Sequence, residues 1–303
     1  MTEKQLEQYT KDGFLIEKNL IPIKRVNAVL ESVFKMYNKY SEKNDDFKSM
    51  EEPWNTELFH QKLIELRKND PESFGAIYDS LKNNISLIQL VLDDNVIDYV
   101  SQFLRKKPSA ISMSDTVVRL DPPGDTRNIH GWHQDRLYFP QNRDGNNGLV
   151  CWAPLNKATI ENGAIHVRMG SHEEGLMKLK PEKKKDASHT TKFIIPKDIV
   201  DKYKDITVEL NPGDAVFFNM LTFHRSGENV SNGLRFSIQC RYHTATADDY
   251  IPFELINYYN PFIKEKLLQN NYDCSDIPDN IRQPPVVLGW KSVPLFDIKI
   301  WLT

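Results

Sequence analysis

From about Ser109 the chain is cut into short runs rich in β-branched and aromatic residues, each bounded by turn formers. The runs are Ile111 to Leu120, Gly148 to Leu155, Ala164 to Arg168, Lys192 to Ile195, Ile206 to Leu210, Asp214 to Met220 and Gly233 to His243. Between them lie Asp121-Pro-Pro-Gly124, Asp144-Gly145, Asn147-Gly148, Asn162-Gly163 and Asn211-Pro-Gly-Asp214. Gly and Asn accept the left-handed backbone that tight turns need, and Pro cannot extend a ladder. Many short strands separated by such turns predict a sandwich or barrel.

The first hundred residues follow a helical period. Val26, Leu30, Val33 and Tyr37 recur at steps of four, three and four, one stripe of an amphipathic helix. Further helices are predicted at Trp54 to Lys68, at Pro71 to Leu81 with Pro71 in the first turn, and at Asp93 to Phe103 with an Asp able to cap it. The 303 residues therefore read as one domain, mainly β with helical decoration. Residues 1–108 form a mainly helical N-terminal part, 109–245 a β core and 246–303 a C-terminal covering segment.

Composition narrows the class further. A chain 40% hydrophobic and 27% charged can bury a substantial core. Its 39 basic and 42 acidic residues give a net charge of −3, with no general pull toward nucleic acid or anionic lipid. The N-terminus lacks the apolar stretch of a signal peptide, and the best apolar run, Ile85 to Val91, is far too short to span a bilayer. Cys151, Cys240 and Cys274 are odd in number and widely spaced, neither a disulfide framework nor a zinc knuckle. A soluble cytoplasmic protein is the expectation. The run Lys178 to Lys192 holds six lysines without interleaved aromatics and reads as a solvated loop.

The chemistry is carried by His133-Gln134-Asp135, shortly after a predicted strand, and by the distant His224. Two imidazoles and one carboxylate can occupy one face of an Fe(II) octahedron and leave the other face open. Residues two apart in a strand point the same way, so His133 and Asp135 can chelate together, with His224 arriving from a neighbouring strand. An HxD triplet alone is a weak signal. The weight comes from Arg235, eleven residues after His224 in an alternating strand. Arg235, Ser237, Gln239, Arg241 and His243 share one polar face, and Leu234, Phe236, Ile238, Cys240 and Tyr242 share an apolar one. A guanidinium facing a pocket can fork onto a carboxylate, which suits a diacid whose other end binds the metal. Arg241 lies roughly 20 Å farther along at strand rise, so it cannot share that small diacid. A surface ion pair near the rim is its expected role, with a substrate contact as the alternative.

The segments GWHQD, WAPLNKATIENGAIHVRMGSHEEG and NPGDAVFFNMLTFHRSGENVSNGLRF, with the opening YTKDGFLIEKNLIP, resemble the phytanoyl-CoA dioxygenase family of Fe(II)/2-oxoglutarate oxygenases. The resemblance runs in blocks over residues 9–245. It implies a double-stranded β-helix, a cupin-like jelly roll, with N-terminal helices. It implies Fe(II), 2-oxoglutarate and O2, with His133, Asp135 and His224 as catalytic iron ligands and Arg235 as the clamp on the distal carboxylate of 2-oxoglutarate. Ser226 matches a hydroxyl that helps hold the same co-substrate, and Trp152 falls on the strand whose aromatic lies near the metal. The family's Pro-Gly-Ser-His turn reads Met169-Gly-Ser-His172 here, a changed turn residue with the chemistry untouched.

Among the remaining candidates, His130 reads as a loop histidine, with an inward-pointing substrate contact as the alternative, and His172 as a backbone partner. His166, His189 and His243 are given no special role. Gln134 stays open between supporting a ligand and a purely structural role, and Phe217, Phe218 and Phe223 read as core.

The expected activity is hydroxylation of a small polar metabolite with decarboxylation of 2-oxoglutarate to succinate and CO2. An acyl-CoA or other lipid-like substrate is the alternative. A cupin-like isomerase or epimerase has no need of Arg235, and a non-catalytic binding module would have lost a ligand. The family's halogenases lack the carboxylate, so Asp135 argues against halogenation. The expected partner is a small-molecule substrate, with no nucleic acid and no membrane, and oligomeric state is not legible.

Overall fold

The computed structural model describes residues 1–250 apart from 42–46, 126–128, 140, 143, 178 and 180–193. The covering segment from 251 on, with Cys274, therefore lies outside the described residues, as do His189 and the lysine run other than Leu179.

Local chemistry sets the helices. In α1 (Glu3–Asp12) Thr2 accepts from the Gln5 N–H while the Gln5 side chain accepts from the Thr2 N–H, a reciprocal N-cap. Gly13 ends α1 with φ 78°, and a Cβ there would run into the His172 ring. The chain then enters β1 (Phe14–Glu17). Helix α2 (Ile23–Tyr40) buries Val26, Leu30, Val33 and Tyr37, the stripe expected from spacing. Helix α3 (Glu57–Asn69) starts later than the apolar pattern suggests, because the Thr56 hydroxyl caps it and Pro53–Asn55 forms a separate 3-10 turn. Pro71 opens α4 (Pro71–Ser80), Asn84 caps α5 (Ile85–Val91) and Asp93 caps α6 (Asp94–Leu104).

The remaining strands are β2 (Ile111–Asp121), β3 (Gly148–Pro154), β4 (His166–Arg168), β5 (Asp205–Thr207), β6 (Ala215–Asn219), β7 (His224–Arg225) and β8 (Arg235–Thr244); a short helix α7 (Lys197–Val200) precedes β5. They form two antiparallel sheets, one ordered β1-β6-β3-β8-β2 and one ordered β5-β4-β7. Two departures from the sequence reading stand out. Ile194 and Ile195 carry no strand, and β7, only two residues long, was hidden inside a turn-rich stretch.

Alternation divides the larger sheet. Its outer face places Leu120, Phe217, Phe236, Ile238, Cys240 and Tyr242 in one core with α2 to α6. Phe59 of α3 stacks on Phe236 with centroids 6.4 Å apart, and the Tyr242 hydroxyl donates to the Val91 carbonyl at 2.6 Å. On its inner face, Phe14, Val150, Trp152, Val216 and Phe218 pack against Ile165, Val167, Val208 and Leu210 of the region around the smaller sheet. That apolar packing does not extend to β8, whose inward residues Arg235, Ser237, Gln239 and Arg241 line a cavity of about 220 Å³.

Candidate metal and co-substrate site

His133 bridges His224 through reciprocal backbone hydrogen bonds of 3.0 and 3.1 Å, which bring the two distant segments side by side. The expected strand does not continue through the motif. Gln134 is extended, with φ −115° and ψ 132°, and Asp135 opens a 3-10 turn to Leu137. One extended residue suffices to turn His133 and Asp135 to the same side. Asp135 Oδ1 lies 3.5 Å from His133 Nε2 and 3.3 Å from His224 Nε2, and the imidazole centroids are 4.1 Å apart. A ligand atom from each of the three fits within 4.8 Å of the others, and all three residues are buried. Among the described residues no other group of His, Cys, Asp and Glu comes together in this way.

The supporting bonds prepare these groups for a cation. His133 Nδ1–H donates to the Gly131 carbonyl at 2.7 Å and His224 Nδ1–H to the Thr222 carbonyl at 3.0 Å. Each bond fixes the tautomer that leaves an Nε2 lone pair toward the shared space. Burial, then the positive potential of His224, pushes the His133 pKa down and so favours its neutral, ligating form. Burial opposes ionisation of Asp135, but Arg241, His224 and His133 outweigh it and hold the carboxyl well below its usual range. A buried cluster of two imidazoles and one carboxylate is a donor set suited to iron(II).

The candidate carboxylate-binding residues lie on the same inner face. Arg235 is buried, and its Nη2 donates to Asp121 Oδ2 at 2.7 Å. Arg119 Nη2 donates to the other oxygen of Asp121 at 3.2 Å. Burial raises the Asp121 pKa, but the two arginines outweigh it and leave the carboxyl below its ordinary value. The free fork expected for Arg235 is therefore half engaged, while its Nε and Nη1 remain buried without a hydrogen-bond partner. Ser237 Oγ is likewise buried and unpartnered on the wall of the same cavity. Unsatisfied buried donors of this kind fit a carboxylate ligand. Gly163 lets the chain pass close by, since a Cβ at its φ of +88° would meet Gly227 O at 2.7 Å and Arg235 Nη1 at 3.1 Å.

Residues 9–237 match the phytanoyl-CoA dioxygenase (PhyH) family. The chain belongs to that family. A probable phytanoyl-CoA dioxygenase of Caenorhabditis elegans is 26% identical over 249 residues, 80% of this chain and 75% of that protein. The human peroxisomal phytanoyl-CoA dioxygenase is 26% identical over 253 residues, 82% of this chain and 69% of its own. The fold is shared with the epimerase SnoN, solved in complex with Fe3+, alpha ketoglutarate and nogalamycin RO, at a TM-score of 0.56 and 17% identity over 82% of this chain and 86% of that one. As a member of the phytanoyl-CoA dioxygenase family, the protein is an iron(II)- and 2-oxoglutarate-dependent oxygenase, and its buried triad fits iron.

The other candidates of this family member fall into place around that centre. Trp152 and Ser226 both line the cavity, the former nearly fully buried. His130 is a loop histidine that also lines the cavity, as the inward-pointing alternative has it, with its ring 5.3 Å from that of His133. Gln134 is structural: its Nε2 donates to the Gly175 and Leu221 carbonyls, and its Oε1 accepts from the Met177 N–H. His172 bonds the Thr10 carbonyl, while His243 pairs with Ser114 Oγ at 2.8 Å, and burial with Arg241 and Arg136 lowers its pKa to about 3. Phe217 and Phe218 are both core as expected, on the outer and inner faces respectively, and Phe218 also lines the cavity with its ring 4.6 Å from His224. The largest correction concerns Arg241. It is buried, not at a surface rim, and its Nε donates to Asp135 Oδ2 at 2.8 Å. Asp121 and Arg119 escaped sequence reasoning, although their two-residue spacing on one face of β2 was a readable signal.

Proposed function

We propose that this oxygenase hydroxylates a small polar metabolite, with His133, Asp135 and His224 holding iron and Arg235 holding the distal carboxylate of 2-oxoglutarate. The observation that carries the reading is the pair of buried, unpartnered Arg235 nitrogens in the cavity that also holds the triad. The chemistry that bound iron supplies is oxidation of a substrate C–H bond, coupled to decarboxylation of 2-oxoglutarate to succinate and CO2. Asp121 orients Arg235, and Ser237 and Ser226 offer hydroxyls to the co-substrate. Trp152, Ile165 and Phe218 give the cavity an apolar wall that excludes water. The two sheets are read as a double-stranded β-helix, and residues 1–303 as one oxygenase domain, which the core shared by helices and larger sheet supports.

The substrate class rests on the cavity. At about 220 Å³, with Ser237, Gln239, Arg241 and His130 on its walls, it suits a compact polar molecule better than a long acyl chain. The names of the C. elegans and human relatives favour the second reading, an acyl-CoA. No helix among the described residues is long and apolar enough to cross a membrane. A cytoplasmic site of action is supported by Cys151 and Cys240, both buried and neither in a disulfide, although the human relative is named peroxisomal.

Succinate release and oxygenated product measured together, across separate panels of polar metabolites and acyl-CoAs, test the substrate class. Coupled turnover of a polar compound is expected, and coupled turnover of acyl-CoAs alone would overturn the reading. For the clamp, Arg235→Ala should weaken 2-oxoglutarate by roughly 2–5 kcal/mol, as when a buried charge loses its partner, with Mn(II) affinity unchanged. A wild-type 2-oxoglutarate titration in that variant would reassign Arg235 to structure.

A further inference from the structure

The two oxygens of Asp135 have different neighbours. Oδ1 faces the imidazoles, 3.5 Å from His133 Nε2 and 3.3 Å from His224 Nε2. Oδ2 takes the Nε–H of Arg241 at 2.8 Å, an ion pair in which both side chains are almost entirely buried. The guanidinium is held from two further directions. Its Nη2 donates to Gln239 Oε1 at 3.1 Å, and its central carbon lies 4.2 Å from the Phe139 ring centroid. A planar cation fixed at an edge and a face cannot follow the carboxylate if it rotates.

We infer that Arg241 is a positioning residue of the metal centre, which confines Asp135 to ligation through Oδ1 alone and offsets its charge. The inference rests on the reading of His133, Asp135 and His224 as the iron ligands. Without Arg241 both carboxylate oxygens could turn toward the cation, and the buried charge would lose its strongest partner. Lysine at this position would keep the charge, but as a point donor on a flexible stem that does not fix which oxygen is free. One coordination position spared by Asp135 is a position left for co-substrate.

The probes are Mn(II) affinity by calorimetry and the visible spectrum of the Co(II)-loaded protein, whose intensity reports coordination number; both are taken without 2-oxoglutarate. Arg241→Gln is expected to lower Mn(II) affinity by roughly tenfold or more, the range found when support of a metal ligand is removed. It should also change the Co(II) band, which a merely structural role would leave alone. Arg241→Lys should recover part of the affinity while the Co(II) band stays altered. Asp135→Ala is the control for the underlying reading: if it binds Mn(II) as wild type does, the triad assignment fails. If Asp135→Ala loses the metal while Arg241→Gln, folded by circular dichroism, keeps wild-type affinity and spectrum, the positioning role is overturned. Should the Gln variant not fold, the Lys variant decides alone, an unchanged Co(II) band counting against the inference.

Discussion

Asp121 holds two arginines at once, the buried Arg235 at 2.7 Å and the partly buried Arg119 at 3.2 Å. Replacing it by Asn keeps the shape and one acceptor but leaves the Arg235 guanidinium without its counter-charge and takes one of two nearby carboxylates from Arg119. Removing one member of a buried ion pair costs about 3–5 kcal/mol. Asp121→Asn should lose stability on that order in urea denaturation and weaken 2-oxoglutarate, while Mn(II) binding stays at the wild-type level. A variant with normal 2-oxoglutarate affinity would show that Asp121 does not orient the clamp. At this scale the identities in the site were legible and much of the bonding was not. His133, Asp135 and His224 announce themselves because few residue types make metal ligands. Strand alternation correctly turned Arg235 and Arg241 inward, yet alternation gives a direction and not a partner. The partner of Arg241 is Asp135, 106 positions away, brought there by the bridge between His133 and His224.

Elements with a strong period in their polarity were readable, as the apolar stripe of α2 and the polar–apolar alternation of β8 illustrate. Elements made by tertiary contact were not. β7 has two residues and exists because β4 pairs with it on one side and His133 bridges it on the other. The start of α3 was set by a Thr56 cap, a polar signal that the apolar pattern of Trp54 and its neighbours obscured. That helix also brings His60 to the end of β8, where its Nδ1 accepts the Leu234 N–H at 3.1 Å and its ring meets Phe236 edge-on. Burial lowers the His60 pKa, against a smaller opposing effect from Glu57. Below the unfolded-state value of about 6.5 the unfolded chain then binds the proton more readily than the folded one, so stability falls as pH falls. The slope for this one group is at most about 1.4 kcal/mol per pH unit. His60→Gln should flatten the loss of stability as pH falls below about 6.5, followed by urea denaturation at each pH. Parallel wild-type and variant profiles would remove His60 from the acid response.

Across the whole molecule, the larger sheet separates stability from chemistry: its outer face is welded to the helices and its inner face carries the cavity. The triad lies on no single element. His133 and Asp135 come from the loop after β2, and His224 from β7 of the other sheet, so the unfolded chain has no such cluster. A cation that binds only the assembled site must stabilise the fold by RT ln(1 + [M]/Kd), about 2.7 kcal/mol at a free concentration 100 times Kd. Mn(II) should therefore raise the unfolding midpoint in a saturating, concentration-dependent way, and chelation should reverse the gain. Asp135→Ala or His224→Ala should abolish the gain. Ile238→Ala supplies the opposite case, because Ile238 is fully buried on the outer face between the cavity residues Ser237 and Gln239. It should cost about 2–5 kcal/mol through the vacated core volume yet leave the Mn(II)-induced increment intact. If the increment shrank in step with the lost stability, metal binding would depend on the core packing of β8 and the two faces would not be separable. An increment kept in Ile238→Ala and lost in Asp135→Ala assigns the metal to the inner face of the fold.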